Sequence, residues 1–220
     1  REIGRKAALS DRDKITQLVS GYELVFLVAG LGGGTGGGAA PVVAEIDSEK
    51  GALVIGFVTL PFTMEGGRRQ SQAYEALADM RSSCDAVIAL SNDLLLQHVA
   101  EDATVLDAFD LIDGWVGRGI ESICNMLFRT GVINLDFTSL KSVFSTKGGK
   151  TLFSLGKASG PDCAENAIED LMMCPLMHLP ESARSADRLL INLTGGPTLG
   201  MAEVNAIVGK ICAQFKSANE

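Results

Sequence analysis

The glycine-rich run Gly32–Gly38 (GGGTGGG) constrains the fold of this chain more than any other stretch of its sequence. It follows ELVFLVAG (23–30), a continuous apolar run typical of a strand covered on both faces. After it, Pro41 can begin a helix and Gly51 can end it. Glycines allow positive φ and close backbone approach, and a helix start supplies free N–H groups and a positive dipole end. The run therefore predicts a strand-to-helix connection that binds a di- or triphosphate.

Other interpretations of the glycine run fit the sequence less well. A flexible linker is disfavoured because both flanking segments are apolar, and a P-loop requires a G-K-[ST] step that is missing here. The dinucleotide pattern G-x-G-x-x-G fits Gly32, Gly34 and Gly37, but such folds also need an acid after the next strand, where this chain has VTL (58–60). A dinucleotide-dependent enzyme remains an alternative that rests on the glycines alone.

Strand-like and helix-like segments alternate through the first half of the chain. The runs 52–59 and 84–90 have the composition of buried strands, whereas 11–19 and 67–82 have the pattern of helices. Repeated β-α-β units predict an α/β fold with a Rossmann-like parallel sheet and helices on its faces.

A long helix is predicted over residues 104–129. At about 1.5 Å per residue it would span about 39 Å, enough to cross a whole domain. We therefore expect three parts: a partial nucleotide-binding domain (1–103), this connecting core helix, and a partial second subdomain (130–220). Apolar side chains recur every three or four residues along the helix, at Leu106, Phe109, Ile112, Val116, Ile120, Ile123 and Leu127.

The last third of the chain predicts a second, smaller α/β unit. Its helices are expected at 138–146, 162–174 and 201–215, and its strands at 151–158 and 187–194. Two strands alone are marginally stable, so we expect partner strands after residue 220.

Charge and cysteine usage exclude several classes of partner. The chain has 19 Lys+Arg against 27 Asp+Glu, a net charge of -8, which argues against non-specific binding to nucleic acid or to an anionic membrane. No apolar run approaches the ~18 residues of a spanning helix, so we expect no direct membrane insertion. The five cysteines occur singly, which is typical of reduced thiols in the cytoplasm.

Six segments together resemble the tubulin/FtsZ family, in its bacterial form. The glycine run resembles the family's nucleotide signature G-G-G-T-G-[ST]-G, and the AAPVVAE after it resembles the bacterial form. The other five occur in family order and at family spacing along essentially the whole chain: VTLPFTMEGGRR (58–69), SNDLLL (91–96), LDAF (106–109), GVINLDF (131–137) and INLTGG (191–196).

The resemblance implies a site for GTP or GDP, with Mg²⁺ held through the phosphates. The phosphates would be wrapped by Gly32, Gly33, Gly34, Thr35, Gly36, Gly37 and Gly38. Where the family has Thr or Ser this chain has Gly37, and the lost hydroxyl contact is expected to weaken binding by about 1 kcal/mol.

The resemblance also assigns the residues around the sugar and the base. Glu65 would meet the ribose and Arg69 the phosphate side; without the resemblance, the two would be an ordinary solvated pair. Asn92 would contact the base, and Phe109 would stack on it, although a phenylalanine in this pattern, considered alone, is more often a core residue. Asp113, one turn further along the same helix face, would accept from the N1–H and 2-amino groups that guanine has and adenine lacks.

Hydrolysis is implied at the turn Asn134-Leu135-Asp136, which matches the family's synergy loop. That loop enters the pocket of the next subunit, where its acids polarise the attacking water. The family has a second acid where this chain has Ser139, so we expect slow hydrolysis, and a filament protein that hardly hydrolyses GTP is the alternative. The turn could also be an ordinary helix-capping turn.

The resemblance places this chain inside a longer product that begins before Arg1 and continues after Glu220. The whole protein would polymerise head to tail from identical subunits in the cytoplasm at the division site, and build a bacterial division ring. Membrane-tethering division proteins are the other expected partners. A non-functional remnant remains an alternative.

Overall fold

A parallel sheet of three strands organises the first half of the computed structural model, which describes residues 1–96, 102–144, 150–177 and 186–215. The strands are β1 (Leu24–Gly30), β2 (Leu53–Leu60) and β3 (Ala86–Ser91), in the order β1-β2-β3. Because all three are parallel, their carboxyl ends lie at one edge, where Gly30 pairs with Thr59 and Leu60 with Ser91. The predicted α/β fold with a parallel sheet is confirmed.

The helices follow the predicted order. In the first half they are α1 (Glu2–Ser10), α2 (Arg12–Val19), α3 (Gly36–Glu49), α4 (Gly67–Ser83) and α5 (Asn92–Leu95). In the second half they are α6 (Val105–Phe128), α7 (Phe137–Val143), α8 (Cys163–Met172) and α9 (Met201–Gln214). Across the described ranges, none of these helices is both long and apolar enough to span a membrane.

The sheet is covered on both faces, as the apolar strands require. Side chains alternate along β2, so Ile55 and Phe57 pack in one apolar cluster with Ile112 and other residues of α6. Val54 and the other β2 side chains on the opposite face of the sheet pack in a second cluster with residues of α3 and α4. The long helix α6 thus lies across one face of the sheet, and α3 and α4 lie across the other.

The helix after the glycine run begins at Gly36, five residues before the predicted start at Pro41. A proline inside a helix lacks the N–H that would bond the carbonyl four residues earlier. That carbonyl belongs to Gly37, and it instead accepts a hydrogen bond from Nε of Arg1 at 3.1 Å. The prediction was wrong because it could not anticipate this long-range donor, and the correction places the last three glycines in the first helical turn.

The strands predicted at 151–158 and 187–194 are wrong as hydrogen-bonded strands: the sheet assigned to the described residues contains only β1, β2 and β3. The apolar pattern that suggested a strand is satisfied by packing alone. Phe153 and Leu155 contact the cluster around α6, while Leu152 contacts the cluster around α9. Side chains that contact two different clusters therefore indicate two covered faces, whereas a strand also needs a neighbouring strand to form a ladder.

Candidate functional site

Three of the six glycines in the run are required by close packing or backbone conformation. Gly32 has φ 93°, which side chains rarely adopt. A Cβ on Gly36 would lie 2.0 Å from the carbonyl oxygen of Gly30, and a Cβ on Gly38 would lie 2.2 Å from that of Arg1. These glycines let the start of α3 press against the end of β1 and the start of α1.

The remaining residues of the run leave space and free donors. A Cβ on Gly33 would meet nothing within 4 Å, and one on Gly34 would reach only the Arg1 amino group at 3.7 Å. Thr35 is exposed and stands directly before α3, and the first N–H groups of a helix have no partner inside it. Together with the positive end of the helix dipole, these N–H groups form a cradle suited to an anion.

Gly37, the position at which the family has a Thr or Ser hydroxyl, faces α4 and not open space. A Cβ on Gly37 would start 3.3 Å from Cβ of Ala76 on α4, which is tighter than most real contacts. A larger residue at 37 would therefore have to displace α4 slightly before its hydroxyl could reach a phosphate. The weaker phosphate binding expected from Gly37 stays a prediction.

The connection between β2 and α4 holds Glu65 by both of its carboxylate oxygens. Oε1 accepts from the backbone N–H of Phe62 at 2.8 Å, and Oε2 forms an ion pair with the Arg69 guanidinium at 2.7 Å. Gly66, between the two charged residues, has φ 98° and reverses the chain into α4. The two residues that the sequence singled out are therefore in direct contact, and a phosphate would compete with Glu65 for Arg69.

Asn92 follows β3 directly and is 5% exposed. Its Oδ1 is buried and accepts no hydrogen bond from any residue that the structure describes. A buried amide oxygen without a donor is costly, so this atom is free to accept one from a ligand.

The start of α6 adds an aromatic face and an acid to the same edge of the sheet. The ring of Phe109 packs edge-on against Phe62, with 5.8 Å between the centroids, yet remains 43% exposed. Asp113 is exposed one turn further along, and α5, which begins with Asn92, packs against α6. The carboxyl ends of all three strands thus carry predicted site residues at one edge, where open α/β sheets bind their ligands.

Asn134 and Asp136 lie at the opposite end of the molecule. From Phe109 to Phe128, α6 runs nineteen residues, about 29 Å, away from the glycine run. The helix after the turn, α7, is tied to the amino end of the sheet, because Nζ of Lys141 donates to the carbonyl of Gly51 at 2.8 Å. The structure does not bring these two residues together with the rest of the predicted site.

The turn itself has the geometry of a helix cap. The Asn134 side chain bonds both backbone groups of Gly131, accepting at 2.6 Å and donating at 3.1 Å. Oδ1 of Asp136 accepts from the backbone N–H of Ser139 at 2.7 Å, the N-cap bond of α7. These hydrogen bonds from Ser139 hold the pKa of Asp136 below its usual range. The carboxylate is therefore ionised at neutral pH, rigidly held and open to solvent.

Sequence reasoning missed the apolar side chains exposed at both ends of the molecule. Val132, Ile133 and Phe128 are exposed around the Asn134 turn, and Leu106 and Met64 are exposed near Phe109. The run Val132-Ile133 was visible as two apolar residues inside a predicted loop, but only the structure shows that none of the described residues covers them.

The described residues contain no cluster of three or more His, Cys, Asp or Glu that could hold a metal ion, and none of the five cysteines forms a disulfide bond.

Comparisons with known proteins agree along most of the chain. The "Tubulin/FtsZ family, GTPase domain" model matches residues 1–100, and the "FtsZ family, C-terminal domain" model matches residues 149–219. The cell division protein FtsZ of Pseudomonas aeruginosa is 38% identical over 216 residues, covering 98% of this chain but 54% of that protein. The chain therefore spans about half the length of this curated relative.

Solved structures agree with the sequence comparisons. An FtsZ dimer from M. jannaschii superposes with a TM-score of 0.84 at 30% identity, over 97% of this chain and 61% of that one. CetZ from Methanosaeta thermophila has a TM-score of 0.76 at 18% identity, over 96% and 61%, which shows a shared fold. With two of the family's models matching in order on a fold of this kind, the chain belongs to the tubulin/FtsZ family.

Proposed function

We propose that the protein binds GTP, polymerises head to tail, and hydrolyses GTP at the junction between subunits. The observation that carries this proposal is the separation of the two halves of the site. The glycine run lies at the carboxyl edge of the sheet, whereas Asp136 follows the far end of α6 and caps α7, which contacts the amino edge. A nucleotide on the glycine run can meet Asp136 only if that residue comes from another subunit.

The nucleotide-binding half of the proposal follows from the donors and acceptors at the carboxyl edge. The glycine run Gly32–Gly38 would hold the phosphates, and a Mg²⁺ ion bound through them would neutralise part of their charge. Glu65 accepts from a ribose hydroxyl, while Arg69 turns towards the phosphates. The base stacks on the exposed face of Phe109, and Asp113 selects guanine over adenine by accepting from its two N–H donors.

The hydrolytic half assigns Asn134 and Asp136 to the attacking water. The ionised Asp136 carboxylate is exposed to solvent, so it can accept a hydrogen bond from that water and polarise it. Asn134 holds the turn in the shape that presents Asp136. The exposed apolar side chains at both ends of α6 provide surface that a second copy would cover.

The biological role and the division into domains complete the proposal. Residues 1–103 form part of the GTP-binding domain, 104–129 the connecting helix, and 130–220 part of the synergy-loop subdomain. In the cell the protein would assemble a division ring in the cytoplasm, with division proteins that tether it to the membrane. The division role is supported by the 38% identity to a cell division protein.

A mixing experiment tests the interface directly. In the intact protein, Thr35→Glu places a carboxylate among the phosphates and Asp136→Ala removes the loop acid, so each variant alone should hydrolyse little GTP. In an equal mixture, about a quarter of head-to-tail junctions combine an intact glycine run with an intact loop, so about a quarter of wild-type turnover should return. Phosphate release measures it, and the double variant mixed with wild type is the control.

Two outcomes contradict the proposal. If the wild-type protein does not bind GTP, the nucleotide site is wrong. If the wild type turns over but the mixture stays at the level of the separate variants, the active site is not shared between subunits.

A GTP-binding filament protein with little hydrolysis is the second candidate. It is favoured by Ser139, which supplies a backbone donor to Asp136 but no second negative charge. Steady-state phosphate release from assembled wild-type filaments distinguishes the two candidates, because only the second predicts filaments that persist without release.

A further inference from the structure

The loop that carries Glu65 is tied to α5, the short helix after β3, by one carboxylate. Asp93, the residue after Asn92, accepts from the backbone N–H of Thr63 with both oxygens, at 3.0 and 3.1 Å. Its Oδ2 also accepts from the Thr63 hydroxyl at 2.6 Å. Hydrogen bonds to an ionised carboxylate are stronger than neutral ones, so Asp93 fixes Thr63 in one place.

The same threonine is held from its other side by α4. Nε2 of Gln70 donates to the Thr63 hydroxyl at 3.4 Å and to the carbonyl of Pro61 at 3.3 Å. Thr63 therefore links the end of β3 to α4 through a single hydroxyl that both donates and accepts.

This link lies between residues that belong to the proposed nucleotide site. Phe62, directly before Thr63, contacts Phe109 and donates its backbone N–H to Glu65. Asn92, directly before Asp93, presents the unpaired amide oxygen. A shift of Thr63 relative to Asp93 would move Glu65 and Asn92 apart, although neither Thr63 nor Asp93 is itself one of the predicted contacts.

We propose that Asp93 is a positioning residue for nucleotide binding, which acts through Thr63 to hold the Glu65 loop in register with Asn92. This inference rests on the proposed function. Asp93 sets the distance between the ribose-side carboxylate and the base-side amide, and it touches neither sugar nor base. Its carboxylate faces an open cavity of about 280 Å³ lined also by Thr63, Gln70 and Tyr74, so replacing it leaves no buried hole.

The test measures GTP affinity in the intact protein with variants at both ends of the link. Asp93→Ala should raise the Kd for GTP about ten-fold, and Thr63→Val, which removes the hydroxyl but keeps the shape, about three-fold. Thr63→Ser keeps the hydroxyl and should restore wild-type affinity. Glu121→Ala removes an exposed acid on α6 and is the control for net charge.

Two readouts separate positioning from a general loss of structure. If Asp93 acts through Glu65, the variant carrying both Asp93→Ala and Glu65→Ala should bind GTP no more weakly than Glu65→Ala alone, within about two-fold. The preference for GTP over its 2′-deoxy and 3′-deoxy analogues should also fall in Asp93→Ala, towards the value for Glu65→Ala.

The outcomes distinguish this inference from the function on which it rests. A wild-type protein that does not bind GTP overturns both. A wild type that binds GTP overturns the inference alone if Asp93→Ala binds equally well, if the two losses multiply, or if sugar discrimination is unchanged. Should Asp93→Ala not fold, Thr63→Val against Thr63→Ser decides the same point, because that pair differs at the hydroxyl while leaving Asp93 in place.

Discussion

Asp47 is a buried acid whose charge should make the stability of this protein depend on pH. Its side chain is 0% exposed within α3, and neither carboxylate oxygen has a hydrogen-bond partner in the described structure. Burial disfavours the charged form and raises the pKa of Asp47 from 3.8 to about 6. The protein must therefore either protonate this group or bury a charge without compensation.

The sign and the size of the effect follow from linkage. The folded state holds the proton more tightly than the unfolded state, so stability is greatest at low pH and falls as the pH rises from about 4 through about 6. The pKa of Asp47 is about two pH units higher in the folded state than in the unfolded state. Each pH unit corresponds to about 1.4 kcal/mol, so ionisation of Asp47 lowers the free energy of unfolding by about 3 kcal/mol above pH 6. Asp47→Asn cannot ionise and should recover that amount.

Urea unfolding at about pH 5 and about pH 8 measures this difference. The gain from Asp47→Asn should be about half of its full size at the lower pH, because pH 5 lies midway between the unfolded and folded pKa values, and should approach about 3 kcal/mol at the higher. Glu45→Gln, an exposed neutralisation on the same helix, is the matched control and should show no such trend. Equal effects of Asp47→Asn at the two pH values would refute the reasoning, because they would mean that the buried carboxyl ionises as it does in water.

Two further predictions concern the glycine run and the synergy loop. Gly36→Ala places a Cβ 2.0 Å from a backbone oxygen and should lower Tm by at least about 5 °C. Gly33→Ala, where the Cβ would enter open space, is the control and should change Tm little. Equal thermal shifts would contradict the packing argument. Ser139→Asp supplies the second loop acid and should increase the rate of phosphate release at least about ten-fold. Ser142→Asp, on the same helix, is the control and should leave the rate unchanged. If Ser139→Asp also leaves the rate unchanged, Ser139 is not the cause of slow hydrolysis.

Local patterns predicted the regular elements well and the connections between them less well. The long helix predicted at 104–129 spans Val105–Phe128, because its apolar repeat reports a single buried face. The start of α3 was placed five residues late, since the carbonyl freed by Pro41 is satisfied by Arg1, 36 positions away from Gly37 in the sequence. Errors of this kind arise wherever a distant side chain completes a local hydrogen-bond pattern.

In the candidate site too, contacts between residues close in sequence were predicted better than contacts between distant residues. Glu65 and Arg69 could be paired from their spacing of four residues, and their ion pair is present in the structure. The hydrogen bond from Thr63 to Asp93 joins residues thirty positions apart, so it could not be predicted from the local sequence pattern. The sequence marked residues that could bind a nucleotide, but not how their relative positions are fixed.

Local sequence patterns were enough to predict the order of the elements: a glycine run between an apolar strand and a helix, then alternating β and α segments. Those features depend on side-chain size, backbone freedom and short-range periodicity, all of which can be identified from a few neighbouring residues. The packing of the folded chain places Asp136 a helix length away from the glycine run and buries Asp47 with no hydrogen-bond partner among the described residues. Both are set by packing of distant segments, because a helix as long as α6 fixes which ends of the molecule can never meet.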